Sequence, residues 1–427
     1  MSADLTQIAT YLKDKFGPSI INQLPNETPI RSSFYSDKSQ SWAGNEVTYP
    51  VKTNRSRAVY AGADGGQLPT ASNQKHEKVH IPLKFIWGRV QFSGPALKLS
   101  ESNEAAFGRV MSIEMDGLVE DLGVQCEFYY SHFGTGVRAL CQGNPSTNTT
   151  LELDSPGGVA GADHGNRFLN EGDNIVAISP QGTLRAGGTR LITGINADGT
   201  DVTVSANMDS SWADNDLIVK AYGADASIAI DNTEYMHIPM GLLGHVDDAT
   251  YVSNYHGISR DTYQIFRSPV ISSIGALSLD VMQRAFDLSA QLGNAKISEM
   301  WASYPVRRAL LQLLEADRRY TGSDLKAPDG GTKAVKGGDI TFGGVPMKTA
   351  AYFPYGTIIG TDNRHKVRYV NTEWEWIDED GSTLSRVSNQ DAFEASGRLF
   401  ENSHYERPNA GFRLDGVNST IVVAHVM

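Results

Sequence analysis

His76-Glu77-Lys78-Val79-His80, continuing as Ile81-Pro82-Leu83-Lys84-Phe85, is the stretch on which the fold turns. Wound into a helix, HEKVH would set two imidazoles one turn apart on one face. With Glu77 as general base, that is the arrangement of a zinc hydrolase. The following residues decide against it. Val79, Ile81, Leu83 and Phe85 alternate with Lys78, His80, Pro82 and Lys84, a period of two, which predicts a strand. Pro82, two residues past His80, would cost a helix about 3 kcal/mol through its ring clash and the lost hydrogen bond. A strand cannot give the motif its ligand geometry. The metal reading then rests on Glu101 or Glu104 as a third ligand.

The preceding segment alternates as well. In EVTYPVKT (46–53), Val47, Tyr49 and Val51 face opposite to Thr48, Pro50 and Lys52, and the Gly-rich AGADGGQLPTASNQ (61–74) turns the chain. Residues 46–92 therefore predict a long two-stranded excursion, about 45 Å at ~3.3 Å per residue. Near Ile86-Trp87 the apolar face switches to Ile86, Val90 and Phe92, which predicts a bulge or strong twist. Such a hairpin is not stable alone in water. Val79, Ile81, Leu83 and Phe85 need a partner surface, and identical copies in a symmetric array would supply one.

The 427 residues, 40% hydrophobic and 20% charged, allow two or three domains with a sizeable core. A net charge of −12 argues against nucleic-acid binding as the main purpose. Cys126 and Cys141 form no CxxC pair, so neither a disulfide scaffold nor a thiolate zinc site is expected, and a reducing compartment is the default. No run approaches the ~20 apolar residues of a membrane helix, and residues 1–17 lack a signal peptide's apolar core.

Along the rest of the chain, spacing predicts a short helix over 3–17 and an extended arm to 45. A long helix of about 24 residues follows SESNEAAF, with Ser100 or Ser102 as cap. The short apolar runs NTTLELD, DNIVAI, TRLITGI, DVTVSA and DLIVKAY, separated by Gly, Asn and Asp turns, predict a small all-β insertion over 145–235. Helices are expected over 278–293, capped by Ser278, and 303–320, with Pro305 in its first turn. Strands follow at GDITFGGVPMKTA, GTIIGT and VRYVNTEWEWIDEDG, then a helix near 390–403 and a terminal strand.

No catalytic constellation emerges. GGTKAVKGG lacks Walker A spacing, and Asp378-Glu379-Asp380-Gly381 lacks the later carboxylates of a calcium loop. Arg307, Arg308, Arg318 and Arg319 pair up on one helix, either as a solvated face or as a subunit contact. Trp374 and Trp376 share a strand face, as core, as interface anchor, or as the stacking platform of a carbohydrate-binding protein.

The order of parts resembles the major capsid proteins of tailed bacteriophages, with their Hong Kong 97-type fold. RVQFSG (89–94), leading into the helix with Glu114-Met115 and Asp121-Leu122, carries the likeness, with VRRALLQLLEADRRY, FGGVPMKTAAYFPYGTI and RVSNQDAFEASGRLF. The resemblance implies an α+β fold with an N-arm (1–45), an extended β-hairpin E-loop (46–92), and a peripheral domain with a long spine helix (93–144). It further implies an all-β insertion (145–235), an axial domain (236–370), and a return to the peripheral domain (371–427). Val79, Ile81, Leu83, Phe85 and the four arginines become candidates for contact between subunits.

The function implied is a non-enzymatic shell subunit that assembles with itself into pentamers and hexamers of an icosahedral head. No cofactor is implied. The partners implied are a portal protein, a separate scaffolding protein (Met1 stands close before the arm), a cement or decoration protein, and double-stranded DNA contacted non-specifically. The location implied is the virion, assembled in bacterial host cytoplasm with no membrane. Some relatives join subunits through lysines of this loop, where Lys75, Lys78 and Lys84 stand, but none is singled out. Two alternatives stay open: an encapsulin-type nanocompartment shell, and the zinc hydrolase using His76 and His80.

Overall fold

The computed structural model describes residues 28–38, 45–95, 104–160, 164–223, 227–316, 340–378 and 383–418. The helix expected over 3–17, the pair Arg318-Arg319 and the distal terminal strand lie outside these residues. In chain order, α1 (Pro29–Ser33) and β1 (Tyr35–Asp37) lead to the hairpin β2 (Glu46–Asn54) and β3 (Lys75–Pro82). Strand β4 (Lys84–Ser93) and the long helix α2 (Glu104–Ser131) come next. Six strands then follow: β5 (Val137–Cys141), β6 (Thr150–Asp154), β7 (Asn174–Ile178), β8 (Arg190–Ile195), β9 (Asp201–Val204) and β10 (Leu217–Lys220). After α3 (Leu242–His245) come β11 (Asn254–Tyr255), β12 (Ile258–Ser259), β13 (Val270–Ile271), α4 (Leu279–Gly293), β14 (Glu299–Ala302) and α5 (Tyr304–Ala316). The chain continues through β15 (Ile340–Phe342), β16 (Val345–Thr349), β17 (Ile358–Thr361), β18 (Lys366–Trp376), β19 (Ser385–Arg386), β20 (Ala392–Tyr405) and β21 (Phe412–Leu414).

Three β-structures organise the molecule, an α+β arrangement. In the first, β20 is central, with β4 on one side, β18 and β19 on the other, and β1 parallel to β18. Its inner face carries Ile86, Phe92, Ala395 and Leu399, all buried, and Leu118 of α2 lies against Gly88. In the second, β5 to β10 close a barrel. Leu151, Leu153, Ile175, Ile192, Val202 and Ile218 fill its interior, as the alternating pattern of each strand requires. The third is a six-stranded mixed sheet, β13-β21-β17-β14-β16-β15. Met300, Met347, Ile358 and Phe412 on one face pack with Met282 and Ala285 of α4 and with Val306 and Leu310 of α5. Trp301 and Ile359 on the other face join Tyr130 and Phe133 at the end of α2.

Two predicted boundaries shift. The expected return strand of 46–92 is two strands. The chain breaks at Leu83, β3 pairs with β2, and β4 leaves the hairpin for β20. This relay produces the predicted switch of apolar face. The barrel begins at Val137, not 145, because β5 follows α2 almost directly and no turn signal announces it.

One prediction fails outright. Residues 390–403 form no helix; β20 spans fourteen residues and is the central strand of its sheet. The expected helix over 278–293 is present as α4, with Ser278 Oγ accepting from Val281 N at 3.3 Å. At the other end, α1 is fastened to α2. Ile30 N and Arg31 N donate to the two Glu127 carboxylate oxygens at 2.8 and 3.0 Å, and the Arg31 guanidinium forks onto Glu401.

Candidate assembly surface

The base of the hairpin rests on its own subunit. Val47, Val79 and Ile81 pack with Tyr255, Ile258, Phe266, Val367 and Tyr369. Val79 and Ile81 are 0% exposed. This corrects the expectation that these two await a neighbour: their apolar surface is already covered, and they have none to offer. Leu83, half-buried, is the break residue, its N–H donating to Asn45 O at 2.8 Å. Phe85 differs and stays 48% exposed.

The same strand disposes of the metal reading. His76 and His80 face the same way four residues apart, roughly 13 Å at ~3.3 Å per residue. Two histidines on one zinc must each approach it to about 2.0–2.1 Å. His80 Nδ1 instead meets Glu46 Oε1 at 3.0 Å, and Glu77 accepts from the Tyr263 hydroxyl at 2.5 Å. Among the described residues no three His, Cys, Asp or Glu side chains could hold a metal ion. Glu101 lies outside them.

Beneath the hairpin base lies a floor of buried imidazoles that the sequence did not announce. His245 Nδ1 meets the Tyr255 hydroxyl at 3.0 Å and its Nε2 meets Ser403 Oγ at 2.8 Å. His256 stands 5.1 Å from His404, ring to ring, and its carbonyl accepts from His80 N at 2.9 Å. The Tyr49 hydroxyl of β2 hydrogen-bonds His404 Nε2. Burial pushes His256 and His404 down to about 3 and His245 well below its ordinary value, so all three are neutral packing groups. The Lys84 ammonium donates to Met236 O at 2.5 Å, and burial lowers its pKa.

Beyond the base, the arm is uncovered. Residues 55–74 form no strand, and Val59 and Leu68 are 88% and 91% exposed, with Tyr60 also exposed. The arm is basic. Between residues 52 and 78 stand Lys52, Arg55, Arg57, Lys75 and Lys78, all exposed, against Asp64 and Glu77.

The opposite polarity gathers on α2. Glu114, Asp116, Glu120 and Asp121 are exposed, with no cation between residues 114 and 121. Partial burial, then Glu120 and Glu114, raise the Asp121 pKa against the opposing effect of Lys220. Farther along the helix, Gln125 and Tyr129 line a pocket of about 260 Å³ with Phe85, Trp87, Tyr222 and Glu234. Phe85 and Trp87 pack edge-on against Phe400, at 4.9 and 5.3 Å.

The remaining candidates separate. Arg307 and Arg308 are half-buried on α5. Trp374 and Trp376 meet at 73°, so their faces cannot form one flat stacking platform. Trp374 instead lies over Gly397 and Gly88 in the sheet.

No protein-family model and no curated protein sequence matches the chain. Solved structures do. A chain of the cyanophage A-1(L) capsid asymmetric unit superposes with a TM-score of 0.55 at 12% identity, over 96% of this chain and 98% of that one. A chain from the capsid of the native GTA particle gives 0.52 at 10% identity, over 98% of this chain and all (100%) of that one. The empty GTA particle's capsid gives 0.52 at 9% identity, covering 97% and 98%. The chain has a phage-capsid fold. The likeness covers 96% or more of the chain. At these identities it establishes architecture alone, and the surfaces above must speak for function.

Proposed function

We propose that the chain is a major capsid protein of the tailed-phage type, a shell subunit without catalytic turnover. In this reading it assembles with itself into pentamers and hexamers of an icosahedral head around double-stranded DNA. The observation that carries it is the pairing of an end-to-end capsid fold with an arm whose tip leaves Val59 and Leu68 88% and 91% exposed. Val59, Tyr60 and Leu68 are exposed together on this one loop, and exposed apolar side chains that gather in a patch mark an interaction surface. Copies of the same chain would supply it.

The parts then take their roles. The 46–82 hairpin is the E-loop, reaching over a neighbour, and the N-arm precedes it. The five-stranded sheet with α2 as spine helix is the peripheral domain. The six-stranded sheet under α4 and α5 is the axial domain, packed around the symmetry axes, with Arg307 and Arg308 of α5 at subunit contacts. The barrel is an insertion at the peripheral domain. A portal protein, a separate scaffolding protein and a cement protein complete the partner set, and the assembled subunit belongs to the virion after assembly in a bacterial host's cytoplasm. A subunit of net charge −12 has little general attraction for phosphate, so DNA contact would be non-specific and weak.

Negative-stain microscopy of the purified full-length chain tests this. Closed shells, or five- and six-fold rings, are the expected result. A monodisperse monomer across salt, concentration and added scaffold would refute it.

A further inference from the structure

Arg138, Arg167, Arg260, Lys366 and Arg413 are buried cations, and all but one of them meet a carboxylate. Arg138 lies 2.6 Å from Glu234, and Arg413 lies 2.9 and 2.7 Å from Asp247 and Asp415. Lys366 donates to Glu299. Arg260 stands 3.7 Å from Asp247 and donates to the carbonyls of Phe266, Val252, Gly244 and His245. Arg167 is the exception. It belongs to the 3₁₀ turn Gly165–Phe168 between β6 and β7, and it reaches the loop between β16 and β17. There Nη2 donates to Ala351 O and, at 3.2 Å, to Phe353 O, while the guanidinium lies 3.4 Å from the centre of the Tyr355 ring. Among the described residues its Nε and Nη1 are buried without a hydrogen-bond partner, and no carboxylate pairs with it. Burial pushes its pKa down to about 9, which still leaves it charged at neutral pH. His132, which also packs on Phe168, is neutral, its pKa lowered to about 3 by burial. An aromatic face attracts a cation without neutralising it. A buried charge calls for a counter-charge.

We propose that Arg167 holds a small monovalent inorganic anion, of the chloride class, beside its unpartnered N–H groups, at the joint between the barrel and the six-stranded sheet. This goes beyond the shell reading and does not depend on it. Two features set the class of ion. The guanidinium is 2% exposed, and a doubly charged oxyanion would cost far more to dehydrate there than a singly charged ion. Nη2, which both forked edges of a guanidinium share, is already committed to two carbonyls. A carboxylate or phosphate therefore cannot bind in its usual two-pronged manner, whereas a spherical ion needs no fork. The ion fastens the turn after β6 to the loop after β16. Because the site exists only in the folded chain, anion concentration adds to stability by mass action.

The test reads the thermal midpoint of the full-length chain as chloride replaces gluconate at constant ionic strength, which keeps screening fixed. The wild-type midpoint should rise by about 2 °C per tenfold rise in chloride. Arg167→Met, similar in reach and uncharged, should show no rise. Asp163 lies four residues before Arg167 in sequence and outside the described residues, and Asp163→Asn should keep the wild-type slope. A second measurement needs no variant and stands even if Arg167→Met does not fold. Wild-type crystals grown with bromide should give an anomalous peak against Arg167 Nε or Nη1. A wild-type midpoint indifferent to chloride, an equal rise in folded Arg167→Met, or bromide confined to the surface would overturn the site. A chloride slope seen only in Asp163→Asn would assign the counter-charge to that side chain and overturn it as well.

Discussion

Gly397 and Gly88 face each other across β20 and β4, and their missing side chains make room for Trp374. A Cβ at Gly397 would overlap the Trp374 ring, and one at Gly88 would come within 2.9 Å of it. Gly397→Ala should therefore cost about 1–3 kcal/mol through overpacking, read as a lower denaturation midpoint. The double variant with Trp374→Ala should cost less than the sum of the two single costs. The alternation of EWEW placed both tryptophans on one strand face but could not tell core from platform. The deciding partner, Gly397, is more than twenty residues away and on another strand, and the glycine itself carries no pattern. HEKVH was legible at this scale because what excludes a helix there is local: alternation and Pro82 suffice.

At the scale of elements, the hairpin divides into a base held by its own subunit and a tip that is not. Ile81→Ala should destabilise the subunit by about 2–5 kcal/mol, since a fully buried side chain would leave a cavity. Leu68→Asp should leave the thermal midpoint unchanged. Equal midpoints for the two variants would contradict the division. Sequence patterning revealed the hairpin but not what shelters its base, because Tyr255, Ile258 and Phe266 approach from nearly two hundred residues away. Five of the six barrel strands were legible from alternation between turn residues. Strand β20 was not. Its stretch DAFEASGRLF carries Glu, Ala, Leu and Arg, all good helix formers. Tertiary pairing to β4 and β18 overrides that preference.

For the whole molecule, acid is the revealing stress. His132, His256 and His404 have pKa values lowered to about 3 by burial, and His245 lies well below its usual value. Unfolded, each imidazole takes a proton near pH 6.5, so the unfolded chain binds more protons between pH 6.5 and 3. Stability is therefore present above pH 6.5 and lost as pH falls through that window. At pH 5 each imidazole would forfeit up to roughly 2 kcal/mol, at ~1.4 kcal/mol per pH unit. The thermal midpoint should drop steadily from pH 7 to 5, and His404→Gln should flatten part of that slope. A midpoint constant over this range would show that the imidazoles are not held neutral. Capsid architecture was legible from the order of parts, since that order survives where single residues drift. The imidazole floor was not, because its members come from two distant segments, His245 with His256 and, about 150 residues on, His404, and share no ligand spacing.

The fastening of Arg31 to Glu401 has a consequence in time. Strand β20, which receives β4 and lies between it and β18, leaves the ribosome about three hundred residues after β4. Until then the early segments have no sheet to join, and such distant pairings close slowly. The arm therefore gains a rigid footing only after β20 has been made. A chain made only as far as β18 lacks that footing, so translation itself delays the arm's final placement.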